Sequence, residues 1–137
     1  MKEDIRKVFV FGSNEEGLHT GGAALYALKH EGAIIGVGEG MQGNSYGIPT
    51  CFCSTTLRGM VSVLPYTKVM GYTINFLVFA EANPNKEFKV TAVGCGIAGF
   101  KHKEIAPMFS LAPSNCYFDE VWKPWLGEEH KYWGTYE

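Results

Sequence analysis

The sequence contains no long apolar run and little cysteine, and both scarcities exclude whole classes of protein. No apolar stretch approaches the roughly 20 residues that a membrane-spanning helix needs. The N-terminal segment has neither the apolar core nor the cleavage site of a signal peptide. Of the four cysteines, only Cys51 and Cys53 lie close together, a pattern that favours a reduced protein over a disulfide-linked secreted one. We therefore expect a cytoplasmic protein without a membrane partner.

The sequence also lacks a run of basic residues and any marked excess of one charge. Twelve Lys and Arg stand against fourteen Asp and Glu, which gives a formal net charge of −2. A protein that grips duplex nucleic acid needs clustered positive charge to replace the counterions of the phosphates. We therefore expect no duplex partner. With 137 residues, 46% of them hydrophobic, the chain can bury one core, and residues 1–137 are predicted to form a single domain.

Motifs for metals and for P-loop nucleotide binding are missing as well. No G-x-x-x-x-G-K-[ST] loop occurs, which argues against a P-loop NTPase. A zinc site made of Cys51, Cys53, His102 and His130 is rejected, because a C-x-C pair without a second ligand pair at fixed spacing is a weak signal. We expect no metal and no cofactor.

What is present is a regular alternation of apolar runs and glycine-rich breaks. Residues 8–11 form an apolar run typical of a strand buried on both faces, and residues 23–30, closed by Gly32, are strong helix formers. Further strands are predicted at 33–35, at 46–50 with a stop at Pro49, at 88–93 and at 115–118, and a short helix disturbed by Pro107 at 103–110.

The segment 66–83 combines two conflicting signals. Its apolar residues recur at helical spacing, yet residues 73–79 are rich in strand formers. We favour a helix, because the stretch is long and the turn Asn83-Pro84-Asn85 ends it. Strands that alternate with helices predict an α/β fold, in which a mainly parallel mixed sheet is flanked by helices in three layers.

Three glycine-rich segments follow predicted strands: residues 12–22, 36–45 and 94–99. In a parallel sheet such loops converge beyond the carboxyl ends of the strands, where ligands bind. Glycine lets backbone N–H groups approach a ligand closely, and N–H groups near a helix N-terminus favour an anion such as a pyrophosphate. The alternative for each segment is that its glycines only make tight turns.

These segments together resemble the macro domain, in particular its small phage and bacterial branch. The resemblance spans residues 8 to 118 and rests on V-F-V-F-G-S-N at 8–14, H-T-G-G-A-A at 19–24 and G-C-G-I-A-G at 94–99. It implies a macro-like domain with a cleft for ADP-ribose or a related nucleotide derivative, and hydrolysis of ADP-ribosyl derivatives as an activity. A non-catalytic protein that binds or sequesters a nucleotide signal and a phosphatase acting on a ribose-phosphate derivative remain as alternatives.

The resemblance also implies the ligand contacts. Asn14 corresponds to the asparagine that contacts the distal ribose, Gly21 and Gly22 to the turn beside the pyrophosphate, and residues 94–99 to the second phosphate loop. The predicted ligand-binding residues are Gly12, Ser13, Asn14, Gly21, Gly22, Gln42, Asn44, Ser45, Gly94, Cys95, Gly96, Ile97, Ala98, Gly99 and Phe100. Gln42 and Asn44 could instead cap turns. One aromatic ring among Phe100, Tyr117 and Phe118 is expected to cover the adenine or a ribose, with core packing as the alternative.

Catalysis is less clearly encoded than binding. Hydrolytic macro domains often carry an aspartate at positions that match Ala24 and Ala98, so both familiar carboxylates are missing. The candidates that remain are Asn14 and His19, the histidine being suited to acid–base work unless it is only a solvated loop residue. Glu15 and Glu16 could activate water from the same loop. Cys95 is expected to be a packing residue and not a nucleophile.

Overall fold

The computed structural model describes residues 6–54 and 60–135. Its strands are β1 (Val8–Asn14), β2 (Gly40–Gln42), β3 (Ser45–Ser54), β4 (Met60–Val63), β5 (Phe88–Val90), β6 (Cys116–Asp119) and β7 (Lys131–Gly134). Its helices are α1 (Gly22–His30), α2 (Tyr66–Ala82), α3 (His102–Ile105) and α4 (Lys123–Leu126), with 3₁₀ turns at Ala106–Phe109 and Glu120–Trp122. No helix in these ranges is long and apolar enough to cross a bilayer.

The described strands form one mixed sheet in the order β2-β3-β1-β5-β6-β7, with β4 also paired to β3. The pairs β1–β3, β1–β5, β5–β6 and β6–β7 are parallel, whereas β2 and β4 run antiparallel to β3. The predicted α/β class, with a mainly parallel mixed sheet flanked by helices, is confirmed.

The central strand β1 is apolar on both faces because each face covers a different core. Val8 and Val10 belong to the larger core, which includes residues of α2. Phe9 and Phe11 belong to a smaller core with Ala24 and Ala27 of α1. Side chains alternate across a strand, so this single run supports helices on both sides of the sheet.

Two predicted strands differ in the structure. Residues 33–35 form an irregular loop, since the Ile34 amide donates to Gln42 Oε1 at 2.8 Å and the Ile34 carbonyl faces His19 Nε2 at 3.1 Å, so that side chains take the place of a neighbouring strand. The predicted strand at 88–93 ends at Val90. The Thr91 amide still donates to the Val10 carbonyl at 3.1 Å, but the Val93 amide donates to the Thr91 carbonyl at 2.7 Å, so the chain turns there and leaves the sheet.

The predicted stop at Pro49 is also wrong, since β3 continues to Ser54. The pairing of β3 with β2 ends at Gly47, and its pairing with β4 begins at Cys51. Pro49 therefore falls in the gap between the two antiparallel partners, where a missing N–H disrupts no ladder on that side. Short strands β2, β4 and β7 were not predicted.

The helix predictions are confirmed. Segment 66–83 is almost wholly helical, and its buried residues Val69, Thr73, Phe76 and Ala80 carry the helical spacing. Residues 103–110 contain α3 and then a 3₁₀ turn with Pro107 near its start, as expected where proline removes a backbone donor.

Candidate functional site

A cavity of about 320 Å³ lies beyond the carboxyl ends of the parallel strands. Its walls come from the ends of β1, β3 and β6, from the segment after β5, and from the first turn of α1. The lining residues are Gly12, Ser13, Asn14, Leu18, Thr20, Gly21, Gly22, Ala23, Ala24, Thr50, Cys51, Thr91, Ala92, Gly94, Cys95, Gly96, Ile97, Ala98, His102 and Asp119. The first and third glycine-rich segments therefore meet, as predicted.

One wall of the cavity is the N-terminus of α1. Gly21 precedes the helix, no side chain caps it, and its first turn carries no acidic residue. The first intrahelical bond is donated by the Leu25 amide to the Gly21 carbonyl at 3.2 Å. The amides of Gly22, Ala23 and Ala24 thus have no acceptor in the described part of the chain. Such amides, with the helix dipole behind them, attract an anion.

The opposite wall is the loop after β5. Three bonds close it: Cys95 N to Ala92 O at 3.1 Å, Gly99 N to Gly96 O at 3.0 Å, and Phe100 N to Gly94 O at 2.9 Å. Gly94 and Gly99 adopt positive φ values of 79° and 81°, which side-chain-bearing residues rarely do. Within residues 6–54 and 60–135, the amides of Gly96, Ile97 and Ala98 remain without acceptors.

Ile97 joins these two walls. Its side chain is 72% exposed, yet its Cδ1 lies only 3.1 Å from the position a Cβ would take on Gly21 and 3.8 Å from that on Gly22. Because Gly21 and Gly22 have no side chains, the Ile97 methyl group can lie this close to the start of α1. Ile97 thus lies next to the start of α1, and both groups of unpaired amides line the same cavity.

The glycine pattern in this loop differs from a Rossmann fingerprint in its context. Residues 38–43 and 94–99 both spell G-x-G-x-x-G, but the first segment leads into β3. The second is followed by α3, only four residues long, after Phe100 and Lys101. Neither opens a long helix as the dinucleotide fingerprint does. The helix whose N-terminus meets the cavity is α1.

The segment 36–45 does not line the cavity, so its predicted contacts with ligand are not supported by its position. Gln42 bonds to His19 and the Ile34 amide, Asn44 Nδ2 donates to Lys7 O at 3.0 Å, and Ser45 Oγ donates to Gln42 O at 2.7 Å. A Cβ on Gly38 would collide with the Asn14 and Glu15 carbonyls. Gly38 therefore serves close backbone packing, as does Gly43, whose Cβ would collide with the Gly32 backbone.

His19 is fully buried and lies outside the cavity lining. Its Nε2 faces three oxygens, Gln42 Oε1 at 3.0 Å and the carbonyls of Ile34 and Val37 at 3.1 Å each. Because the carbonyls are acceptors, Nε2 must carry the proton and donate. Nδ1 has no partner among the described residues. The imidazole thus organises the 34–42 loop.

Asn14 does line the cavity, but both ends of its amide are engaged. Nδ2 donates to Leu18 O at 2.8 Å, and Oδ1 accepts from Leu18 N at 2.7 Å. The neighbouring acids are also engaged elsewhere: Glu15 accepts from the Tyr72 hydroxyl, and Glu16 accepts from the Cys53 amide at 2.8 Å. The Tyr72 hydrogen bond is the main cause that lowers the pKa of Glu15.

The structure gives Cys95 an environment that suppresses thiolate formation. Burial raises the pKa of its thiol to about 11, with a smaller opposing contribution from Trp122. Its Sγ donates to Val93 O at 3.6 Å. The four cysteines are free thiols.

Gly99 and the rings proposed to cover a base or ribose do not line the cavity. Phe118 is fully buried in the larger core, Phe100 packs against that core, and Tyr117 lies on β6 with its hydroxyl 3.3 Å from Glu87.

Sequence reasoning missed the imidazole and the carboxylate of the cavity, His102 and Asp119, together with three threonines that line it, Thr20, Thr50 and Thr91. Asp119 ends β6, is 3% exposed, and accepts from Val121 N at 3.0 Å. His102 Nδ1 accepts from the buried indole of Trp122 at 3.1 Å, and since indole only donates, the proton of the neutral ring is on Nε2. Asn14 was predicted as a site residue because it is polar and lies at the carboxyl end of a parallel strand. The same criterion would have identified Asp119 at the end of β6.

No family model, no curated protein and no solved structure matches the chain. No group of three or more metal-ligating side chains occurs in the described ranges.

Proposed function

We propose that the cavity binds ADP-ribose or a closely related nucleotide derivative, with the pyrophosphate between α1 and the loop after β5. The observation that carries this proposal is the convergence of two groups of unpaired backbone amides, at Gly22–Ala24 and at 96–98, on one cavity. Backbone amides and a helix N-terminus are a common phosphate site in proteins.

The rest of the lining fits a ligand whose phosphates are bound by backbone amides and not by basic side chains. No Lys or Arg of the described residues 6–54 and 60–135 lines the cavity, so within these ranges the amides provide most of the anion recognition. Its volume is near the lower end of the range of roughly 300–1,000 Å³ for small-molecule sites, which suits a diphosphate with one ribose inside and the remainder at the mouth.

Several features favour binding over turnover. Ala24 and Ala98, which stand where the resemblance would put catalytic aspartates, both line the cavity. The amide of Asn14 is bonded to Leu18, and His19 is committed to the 34–42 loop. The preferred function is therefore a binding domain for a nucleotide signal.

A second candidate function is hydrolysis of an ADP-ribosyl or ribose-phosphate derivative. It is favoured by His102 and Asp119, an imidazole and a carboxylate in the same cavity. Such a pair could exchange a proton with water or with a leaving group.

The binding proposal is tested by calorimetric titration of ADP-ribose, AMP and adenosine into wild type, Gly96→Glu and Gly96→Ala. Gly96 lines the cavity, and an added Cβ there meets open space, so both variants should fold. We expect Gly96→Glu to weaken ADP-ribose binding by at least about 100-fold through like-charge repulsion, while Gly96→Ala stays within a few-fold. Unchanged affinity in Gly96→Glu would remove this loop from the site.

Turnover is tested separately by incubating the protein with an ADP-ribosylated peptide and with a phosphorylated ADP-ribose, followed by chromatography. Hydrolysis that falls by about 10²-fold in His102→Ala would support the second function, since this is the usual size of a lost acid–base group. Binding without any turnover would leave the binding domain as the function.

A further inference from the structure

The sheet has a second surface on the side of α1, formed by β5, β6 and β7. The register aligns Phe9, Lys89, Tyr117 and Lys131 across β1, β5, β6 and β7, so these four side chains share one side of the sheet. Helix α1 packs against β1 and covers Phe9. Beyond β1 the same side is partly exposed, with Lys89 and Tyr117 half-buried and Lys131 exposed.

Lysines and aromatic rings are interleaved on this surface. Lys89 Nζ lies 4.4 Å from the centre of the Trp133 ring, and the Nζ atoms of Lys7 and Lys131 lie 4.6 and 5.4 Å from that of Tyr117. The Trp133 indole donates to the Val90 carbonyl at 2.9 Å, which fixes its ring on the sheet. We call Lys7, Lys89, Tyr117, Lys131 and Trp133 the lysine–aromatic face.

The charge of this face is opposite to that of the molecule. Among the described residues, the carboxylate within ion-pair distance of these three lysines is Glu87, at 3.6 Å from Lys7, so the lysines and Glu87 together carry +2. Because the whole chain has a formal charge of −2, the remainder carries −4. These residues therefore form a local positive cluster in a chain of negative net charge.

We propose that the lysine–aromatic face binds single-stranded nucleic acid. The ammonium groups lie over rings on a partly exposed side of the sheet, so a lysine that moves from a ring to a phosphate leaves that ring face free to stack on a base. A single strand can present its bases to Tyr117 and Trp133, whereas the bases of a duplex are stacked inside it. Neither the macro-domain resemblance nor the proposed ADP-ribose site is needed for this inference.

The face also continues into the cavity. Thr91 and Asp119, two residues beyond Lys89 and Tyr117 along the chain, line the cavity.

The proposal is tested by fluorescence anisotropy of a labelled twelve-nucleotide oligothymidylate with the full chain at 20 to 200 mM NaCl. Three neutralised phosphates predict that log K falls against log salt with a slope of about −2, or about tenfold to twentyfold between 50 and 200 mM. The double variant Lys89→Gln/Lys131→Gln should bring the slope to about −0.7. Lys29→Gln/Lys103→Gln, which removes two exposed charges elsewhere, should leave it unchanged.

Ring stacking is tested with Tyr117→Leu and Tyr117→Phe, each checked for folding by circular dichroism. We expect Tyr117→Leu to weaken binding by roughly tenfold and Tyr117→Phe to preserve it, since stacking needs the ring and not the hydroxyl.

The proposal is overturned if wild type does not bind the oligonucleotide at 20 mM NaCl, if the two lysine pairs behave alike, or if a duplex or heparin binds as tightly. Titration of ADP-ribose into Lys89→Gln/Lys131→Gln separates the two sites. The double lysine variant should still bind ADP-ribose in the cavity, so a failed oligonucleotide experiment does not contradict the ADP-ribose proposal. Likewise, Gly96→Glu should lose ADP-ribose binding but keep oligonucleotide binding, so failure of the ADP-ribose proposal does not contradict this one.

Discussion

At the scale of single residues, His19 and Gln42 form a buried polar pair whose hydrogen bonds replace strand pairing. One imidazole nitrogen and one amide hold Ile34, Val37 and Gly40 in place around them. Buried polar groups that lose a partner are costly, because the groups left behind cannot reach water. This pair therefore contributes to stability through the loop it shapes.

We predict that His19→Ala lowers the free energy of unfolding by about 2–4 kcal/mol, the size expected for a lost buried side chain that leaves acceptors unpaired. His19→Gln, which retains an N–H donor, should recover part of the loss. Urea unfolding followed by tryptophan fluorescence measures both. If His19→Ala stays folded, its ADP-ribose affinity should be within a few-fold of that of wild type. A folded variant that binds ADP-ribose but has lost the turnover seen in wild type would contradict this structural role and support His19 as a catalytic group.

The sequence predicted Asn14 and the two outer glycine segments at the cavity, because strand ends and glycine turns are local signals. It did not reveal that the Asn14 amide is bonded to Leu18, nor that His19 is buried, since both depend on how the 14–19 and 34–42 loops pack together. His102 was assigned no role beyond a rejected zinc site, because its partner Trp122 is distant in sequence.

At the scale of elements, the loop from Gly36 to Ser45 seals the end of β1 by close contact of backbones. Gly38 packs on the Asn14 and Glu15 carbonyls, and Gly47 in β3 packs on the Gly38 carbonyl. The atoms nearest to a Cβ at Gly38 or Gly47 belong to the backbone and not to the end of a flexible side chain. A substitution at either position would therefore force the backbone to move.

We predict that Gly38→Ala destabilises the protein by several kcal/mol or prevents folding, because the added Cβ overlaps backbone atoms. The matched control is Gly36→Ala, whose φ of 95° is strained but whose Cβ meets no atom within 4 Å, so it should cost only about 1–3 kcal/mol. Thermal unfolding compares the two. Equal melting temperatures would show that the loop can move aside and that close packing is unimportant there.

Element types followed the length and periodicity of each segment, which is why α1, α2 and β1 were predicted correctly. The errors are at segments where tertiary contacts replaced local preference. Residues 33–35 contain strand formers, but the Ile34 amide donates to the Gln42 side chain and not to a neighbouring strand. Strand β3 continues past Pro49 because neither of its antiparallel neighbours, β2 and β4, pairs with it at that residue. The short strands β2, β4 and β7 gain their pairing only from the neighbouring sheet.

At the scale of the whole molecule, Glu15 links the loop after β1 to α2. It accepts from the Tyr72 hydroxyl and pairs with Lys68 at 3.0 Å, so the loop that follows β1 at the cavity is tied to α2. The same contact lowers the pKa of Glu15 and raises the pKa of Tyr72 to about 12. Stability should therefore depend on pH at both extremes.

We predict that this contribution is present between about pH 4.5 and 10, the ordinary pKa values of the two groups. It is lost as pH falls through the lowered pKa of Glu15 and as pH rises from 10 through about 12. Tyr72→Phe should flatten both limbs in chemical unfolding at a series of pH values. Limbs as steep as those of wild type would assign the pH dependence to other groups.

The lysine–aromatic face is a property of the assembled molecule and has no counterpart in the sequence pattern. Lys7, Lys89 and Lys131 stand far apart along a chain without a basic run, and only the parallel register brings them together. The same holds for the cavity as a whole, since no single segment contains both groups of amides.

The position of β1 in the middle of the sheet has a consequence for how the protein folds. Phe9 pairs with Ser45 on one side and with Lys89 on the other, so the first strand made has to wait for partners that come much later. Parallel pairings of this kind close long loops before they gain contacts, which slows folding. During synthesis, the cavity cannot be complete until Asp119 has left the ribosome, so a growing chain would acquire the proposed ligand site only after every strand from β1 to β6 has been made.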